Sequence, residues 1–158
     1  MSDTEKAKHT LESKFDFLKD QVRVQRERRL WLEVPKDKFF DVFDFAVTRL
    51  GFNILGTITG LDDGADIGLI YHLFALDGRV LNLKTRIAKD KEPMKTITNY
   101  FPAGAIYERE IVDLLGAEFE GLPAGLSYPL PDGWPKGQHP LRKDWNIAML
   151  DQANKENK

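Results

Sequence analysis

The densest cluster of titratable side chains is Glu108-Arg109-Glu110, followed by Asp113. On a helix, Arg109 and Asp113 stand at i, i+4 and Glu110 and Asp113 at i, i+3, so they share a flank. Paired carboxylates of this kind could exchange protons with a substrate. No nucleophile or metal ligand stands beside them in sequence, so an ion-pair network that clamps the helix is the favoured reading. Asp62, Asp63 and Asp66 could meet a cation, but they lack the spacing and terminal Glu of a calcium loop. With Gly64 they supply what a hairpin turn requires. Arg23, Arg26, Arg28 and Arg29, with Lys19, form a basic run diluted by Asp20 and Glu27. It reads as a solvated strand face before it reads as a nucleic-acid surface, which would want stacking aromatics at matching positions. His139, next to Pro140, reads as a hydrogen-bonded structural residue.

Composition narrows the classes. The chain has 158 residues, 42% hydrophobic and 30% charged, with a net charge of −2. That balance argues against a general nucleic-acid binder. There is no cysteine, which excludes a disulfide scaffold, a Cys-ligated zinc site, a Cys nucleophile and an iron–sulfur cluster held by this chain alone. His9, His72 and His139 are too scattered for a metal motif. No glycine pattern matches a phosphate loop, and Ser13 and Ser127 sit in no nucleophile elbow. No signal-peptide pattern and no long apolar run are present, so a soluble chain that reaches a membrane only through a partner is expected.

The elements that must position these residues follow from periodicity. Leu11, Phe15 and Leu18 predict an amphipathic helix over 4–18. Val22, Val24, Leu30, Leu32 and Val34 share one parity, which predicts a half-buried strand broken near 25–28 and ended by Pro35. Phe39, Phe40, Phe43, Val47 and Leu50 predict a helix over 36–50 stopped by Gly51. Strands are expected over 53–61, 67–76 and 79–87, joined by turns at Asp62-Asp63-Gly64 and Asp77-Gly78, as an antiparallel meander. Pro93 suits the first turn of a helix over 93–100. A further helix is expected over 105–115, with Gly116 as its stop. The order α-β-α-β-β-β-α-α is an α+β fold: a mostly antiparallel sheet with helices packed on it.

Residues 121–140 hold five prolines and four glycines, which no helix or ladder survives. Leu130, Trp134 and Leu141 make this an apolar tail rather than a solvated linker. The chain thus divides into an α+β domain over 1–120, an extended docking tail over 121–145 and a fraying end over 146–158. The residues show no catalytic constellation and point to an interaction subunit.

The C-terminal third carries a resemblance. Glu108-Arg109-Glu110, Asp113, Gly116, Phe119, Gly121, Pro123 and Trp134 precede His139-Pro140-Leu141-Arg142-Lys143-Asp144-Trp145. In this order and spacing they resemble the family of the C subunit of respiratory NADH–quinone oxidoreductase (complex I), which includes the equivalent small subunit of energy-converting [NiFe] hydrogenases. The likeness spans about residues 11–145. The segment after Gly121 departs from it. Leu122 stands where the family has His or Lys, and Ala124-Gly125-Leu126-Ser127-Tyr128 replaces a charged stretch.

The resemblance implies a non-redox accessory subunit of the peripheral arm, on the cytoplasmic side of the membrane. No catalytic, cofactor-binding or metal-binding residue is implied in this chain. Iron–sulfur clusters, with flavin or nickel–iron, would lie on other subunits. The partners implied are the large catalytic subunit and a neighbouring iron–sulfur subunit, with no nucleic acid and only indirect membrane contact. The motif residues named above would fix the helix or face the large subunit. Trp134 and Trp145 are the expected anchors, since Trp and Arg dominate interface hot spots. Arg142 is expected to pair with a partner carboxylate. A free-standing binding module, and self-association of the isolated chain through uncovered tail surface, are the alternatives.

Overall fold

A strand that alternates leucine with charge needs neighbours on both edges and a cover on one face. The computed structural model, which describes residues 1–91, 93–126 and 129–156, shows how the chain supplies them. Ser127 and Tyr128, part of the departing segment, lie outside the described residues, as do Glu92 and the last two residues.

Helix α1 (Asp3–Lys14) begins with Ser2, whose hydroxyl accepts from the Glu5 N–H. A 3-10 turn over Asp16–Leu18 follows. Strands β1 (Arg23–Arg26) and β2 (Arg29–Glu33) form a hairpin, so the break expected near 25–28 is its turn. A 3-10 turn leads into α2 (Phe39–Arg49), and Gly51, at φ +78°, reverses the chain beyond it. Strands β3 (Ile54–Asp62), β4 (Asp66–Phe74) and β5 (Val80–Ala88) follow, joined by tight turns with Gly64 and Gly78 at positive φ.

The sheet order is β1-β2-β5-β4-β3. It is mostly antiparallel, with one exception. Strands β2 and β5 run parallel, in the register Leu30 opposite Leu81 and Leu32 opposite Leu83. The crossover through α2 and the β3–β4 hairpin makes this pair parallel; strands joined by a tight turn can only be antiparallel.

The helix expected over 93–100 is not there. Met94–Lys95 instead form β6, which pairs in parallel with β7 (Phe119–Glu120). Tyr100 and Phe101 both donate to the Ile97 carbonyl in a turn. Met94 and Ile97 are fully buried, and burial with the β6–β7 pairing outweighs a weak helical preference. Helix α3 (Gly104–Leu115) lies where expected, with Gly116 at φ +71° as its cap. Ile147–Glu156, expected to fray, form helix α4.

The chain divides into two compact units. The first is Met1–Thr59 with Leu69–Arg86. Its core stacks Phe39 on Tyr71, centroids 4.7 Å apart, and on Phe43 at 5.3 Å, with Leu11, Leu30, Leu32 and Leu81 fully buried. The second is Gly60–Gly68 with Ile87–Lys158, and within it Ile111, Leu115, Met94 and Ile97 are buried. The tail over 121–145 falls in the second unit with α3.

Candidate docking site

Every motif residue of the C-terminal third lies in the second unit, on α3 or on the tail that follows it. The end of a helix explains why they meet. The last four carbonyls of α3 have no partner inside the helix. Here all four are answered. Gly116 N–H donates to Val112 at 2.9 Å, and Leu141 N–H donates to Leu114 at 3.0 Å. His139 Nδ1 donates to the Asp113 carbonyl at 2.9 Å, which fixes its proton on that nitrogen. Arg142 Nε donates to Leu115 at 2.7 Å. The run His139-Pro140-Leu141-Arg142 is therefore the C-cap of a helix that ended more than twenty residues earlier in the chain.

Arg142, expected to meet a partner's carboxylate, already holds one within the chain. Its outer nitrogens hold Asp90 of the same chain, at 3.1 and 2.8 Å. This pairing lowers the affinity of the Asp90 carboxylate for its proton and raises that of the guanidinium. The positive charge also complements the negative end of the α3 dipole. Asp90 sits at φ +55°, a rare backbone for a non-glycine residue. No sequence signal singles it out.

Glu108 is fully buried, and its contacts do not make the ion-pair clamp that the spacing suggests. Its Oε1 accepts from the Ile97 N–H at 2.9 Å, and its Oε2 lies 2.5 Å from Thr96 Oγ1. Burial raises its affinity for the proton, and the two hydrogen bonds oppose that in part. The carboxyl ties α3 to the segment just after β6 and is closed off from solvent. Acid–base chemistry at this carboxyl lacks the access it would need.

Arg109 stretches the other way. Its Nη2 donates to the carbonyls of Pro123 and Ala124 at 2.9 and 3.1 Å, and its guanidinium lies where a side chain on Gly125 would be. Arg109 thus straps the start of the tail onto α3. Glu110 is exposed and Asp113 half-buried. The turn residue Asp62 proves to be part of the same unit's polar network. Its carboxylate accepts from Gly64 N–H and Lys143 N–H at 2.8 Å and from Lys89 at 2.7 Å, which holds it well below the usual carboxylate range.

The two tryptophan rings lie against each other, tilted by 33°, with centroids 6.2 Å apart. Trp134 donates to the Gln138 carbonyl and Trp145 to the Gln138 side chain. Both remain half-buried. Gly121 (φ +81°) turns the chain beside Thr96, and Phe119 is half-buried in β7. Leu126 and Leu141 are left exposed, as is Asp144. Two shallow clefts of about 480 and 470 Å³ lie between α3 and the tail, the first with Arg109 and Leu122 on its wall, the second with Trp134 and His139. Among the described residues no group of His, Asp or Glu could hold a metal ion, and no helix is long and apolar enough to cross a membrane.

Residues 32–149 match the family described as respiratory-chain NADH dehydrogenase, 30 kDa subunit. The chain belongs to that family. It is 31% identical over 119 residues to the NADH-quinone oxidoreductase C subunit of Moorella thermoacetica, covering 73% of this chain and 79% of that one. It is 39% identical over 100 residues to the C/D subunit of Shewanella oneidensis, covering 58% of this chain and 16% of the relative, so it spans about one sixth of that longer protein. Among solved structures it is similar to a chain of the membrane-bound sulfane sulfur reductase, an archaeal respiratory membrane complex. There the TM-score is 0.77 at 31% identity, over 96% of this chain and 91% of that one. A trypsin-resistant fragment of Nqo5 shares the fold, with a TM-score of 0.64 at 23% identity over 78% of this chain and 99% of the fragment. The family resemblance carried by the C-terminal third is thereby shown, and with it the α+β fold.

Proposed function

We propose that this chain is a non-redox subunit in the peripheral arm of a complex I-type NADH–quinone oxidoreductase, docked on that complex's large catalytic subunit. The observation that carries the proposal is the long relative named as a combined C/D subunit. One polypeptide there joins a segment like this chain to a much longer remainder, and covalent fusion favours parts that already work side by side. The geometry supports a binding role. His139, Arg142, Glu108 and Arg109 are spent inside the fold, on the α3 cap, on Asp90, on 96–97 and on the start of the tail. Outward lie the apolar Leu126, Leu141 and Ile147 and the open sides of Trp134 and Trp145, beside the charged Glu110, Lys143 and Asp144. Such a surface fits a protein partner better than a small substrate. Contact with a neighbouring iron–sulfur subunit, a place on the cytoplasmic side and membrane association through partners belong to the same reading.

A second reading has its own support. The sulfane sulfur reductase chain is matched over nearly the full length of both chains. On that reading the assembly is an archaeal-type respiratory membrane complex, of which the energy-converting hydrogenase is the other candidate.

Affinity purification of the tagged chain from gently solubilised source membranes separates these readings, with mass spectrometry and metal analysis. A large partner with iron–sulfur and flavin subunits and no nickel supports the dehydrogenase. Stoichiometric nickel supports the hydrogenase, and a large partner lacking both flavin and nickel supports the reductase-type assembly. A chain recovered alone overturns the subunit reading in favour of a free-standing module.

A further inference from the structure

The first unit carries a basic strand edge of its own. Strand β1 pairs with β2 on one side only, so it is an edge of the five-stranded sheet. From Arg23 to Arg29 the hairpin holds four arginines against one glutamate. Arg23, Arg26 and Arg29 are exposed, and no hydrogen bond or ion pair engages their side chains among the described residues. Beside this edge is a shallow cleft of about 490 Å³ with Trp31, Pro35, Arg23 and Arg86 on its walls. Trp31 is half-buried and lies opposite Arg23 in the ladder. The only carboxylate on the cleft, Glu33, already faces two cations, Arg86 at 2.6 Å and Lys84 at 4.0 Å.

We propose that the β1 edge and the Trp31 cleft form a docking strand for an extended acidic segment of a neighbouring protein chain. An unpaired strand edge offers backbone donors and acceptors to any extended peptide. The arginines make that offer selective. They repel a second copy of the same edge, and they favour a strand carrying Asp or Glu at the facing positions. The cleft supplies what charge alone does not. An apolar side chain from the docked segment can lie against Trp31 and Pro35 while acidic side chains two positions away, on the same face, meet Arg23 and Arg26. An anionic membrane or a single-stranded nucleic acid would satisfy the arginines but not the directional edge. This proposal goes beyond the subunit reading and does not depend on which assembly holds the chain.

The test uses the purified full chain and a capped extended peptide with Glu, Val and Glu at every second position and Thr between them, so that acid and apolar side chains share one face, followed by backbone amide shifts in NMR titration. Shifts are expected at Arg23–Arg26 and at the Trp31 indole, with binding that weakens as salt is raised. Arg23→Glu with Arg26→Glu is expected to weaken binding about tenfold or more, and the milder Arg23→Gln with Arg26→Gln by less. Both positions are exposed, and an unchanged urea midpoint confirms that the fold persists. The proposal is overturned if the same peptide with Lys for Glu binds equally well. It is also overturned if the shifts map elsewhere, or if only phosphatidylglycerol vesicles or oligo-dT bind. Because the readout needs no complex, its failure leaves the subunit assignment standing, and a failed co-purification leaves this result standing.

Discussion

Arg142 Nε donates to the Leu115 carbonyl at 2.7 Å, across 27 residues of chain, while the same guanidinium grips Asp90 with its outer nitrogens. One side chain thus closes the end of α3 and anchors the segment after β5. The pairing with Asp90 is largely solvent-exposed on the Asp90 side and contributes little by itself. The hydrogen bond to a half-buried helix end contributes more, because losing it strands a carbonyl.

Arg142→Ala is therefore expected to destabilise the isolated chain by about 2 kcal/mol. From sequence alone the same change would weaken assembly and leave the domain untouched. Arg142→Lys should rescue only a fraction, since an ammonium cannot serve three acceptors in one plane. Urea midpoints of the two variants decide the matter. A midpoint equal to that of the unaltered chain would refute the capping role.

Gly116 is pinned twice, by φ +71° and by His139 and Arg142, each with an atom 2.6 Å from where a Cβ would stand. Gly51 shares the positive φ (+78°) but has open space around it. Gly51→Ala should cost about 1 kcal/mol, the backbone strain alone. Gly116→Ala should cost clearly more and loosen the tail, seen as faster trypsin cleavage after Lys136 and Arg142. Equal losses at the two sites would contradict the packing described for Gly116.

Glu108 gives stability a dependence on pH from the alkaline side. Its affinity for the proton is raised in the folded chain, chiefly by burial, above the unfolded value of about 4.3. The folded state then binds more protons than the unfolded state. The stability this proton confers is full below the unfolded value and is lost as pH rises through the raised folded value. Glu108→Gln keeps the shape and an acceptor for the Ile97 N–H but removes the titrating group, so it should flatten that decline. Urea midpoints of both proteins across this range test it; parallel curves would show that Glu108 does not titrate there.

Asp62 works in the opposite sense. Lys89 and the Lys143 N–H lower its folded value below the unfolded value of about 3.9. Its contribution is present above the unfolded value and is lost as pH falls through the depressed one. Asp62→Asn leaves Lys89 without its buried partner and should destabilise by about 3 kcal/mol at neutral pH. The gap to the unaltered chain should narrow in acid. A gap constant down to strongly acidic pH would rule out this linkage.

Local features are legible in the residues alone. The alternation of Leu30 and Leu32 with charge, the Asp77-Gly78 turn and the stop at Gly116 each follow from a residue and its immediate neighbours. The phenylalanine stripe of α2 is legible for the same reason, because a helix repeats every 3.6 residues. Residues 93–100 mislead, because Met94 and Lys95 answer to a strand partner at 119–120, and a proline signal says nothing about that. Glu108 is legible as important and illegible in role: spacing places it on a helix flank, while only packing shows that Thr96 and Ile97 meet it.

Residue types and spacing were enough for α1, α2, α3, the five sheet strands and their turns, for the lack of cysteine or phosphate-loop chemistry, and for the family resemblance. All of these rest on side-chain type and short-range spacing. Tertiary structure alone decided that β2 runs parallel to β5, that His139, Leu141 and Arg142 cap α3, and that Asp90 and Asp62 receive the tail. Those contacts join residues far apart in the chain, and their partners are mostly backbone carbonyls and N–H groups, which every residue carries. A group common to all residues leaves no mark in a sequence, so its partner becomes visible only when the chain has folded.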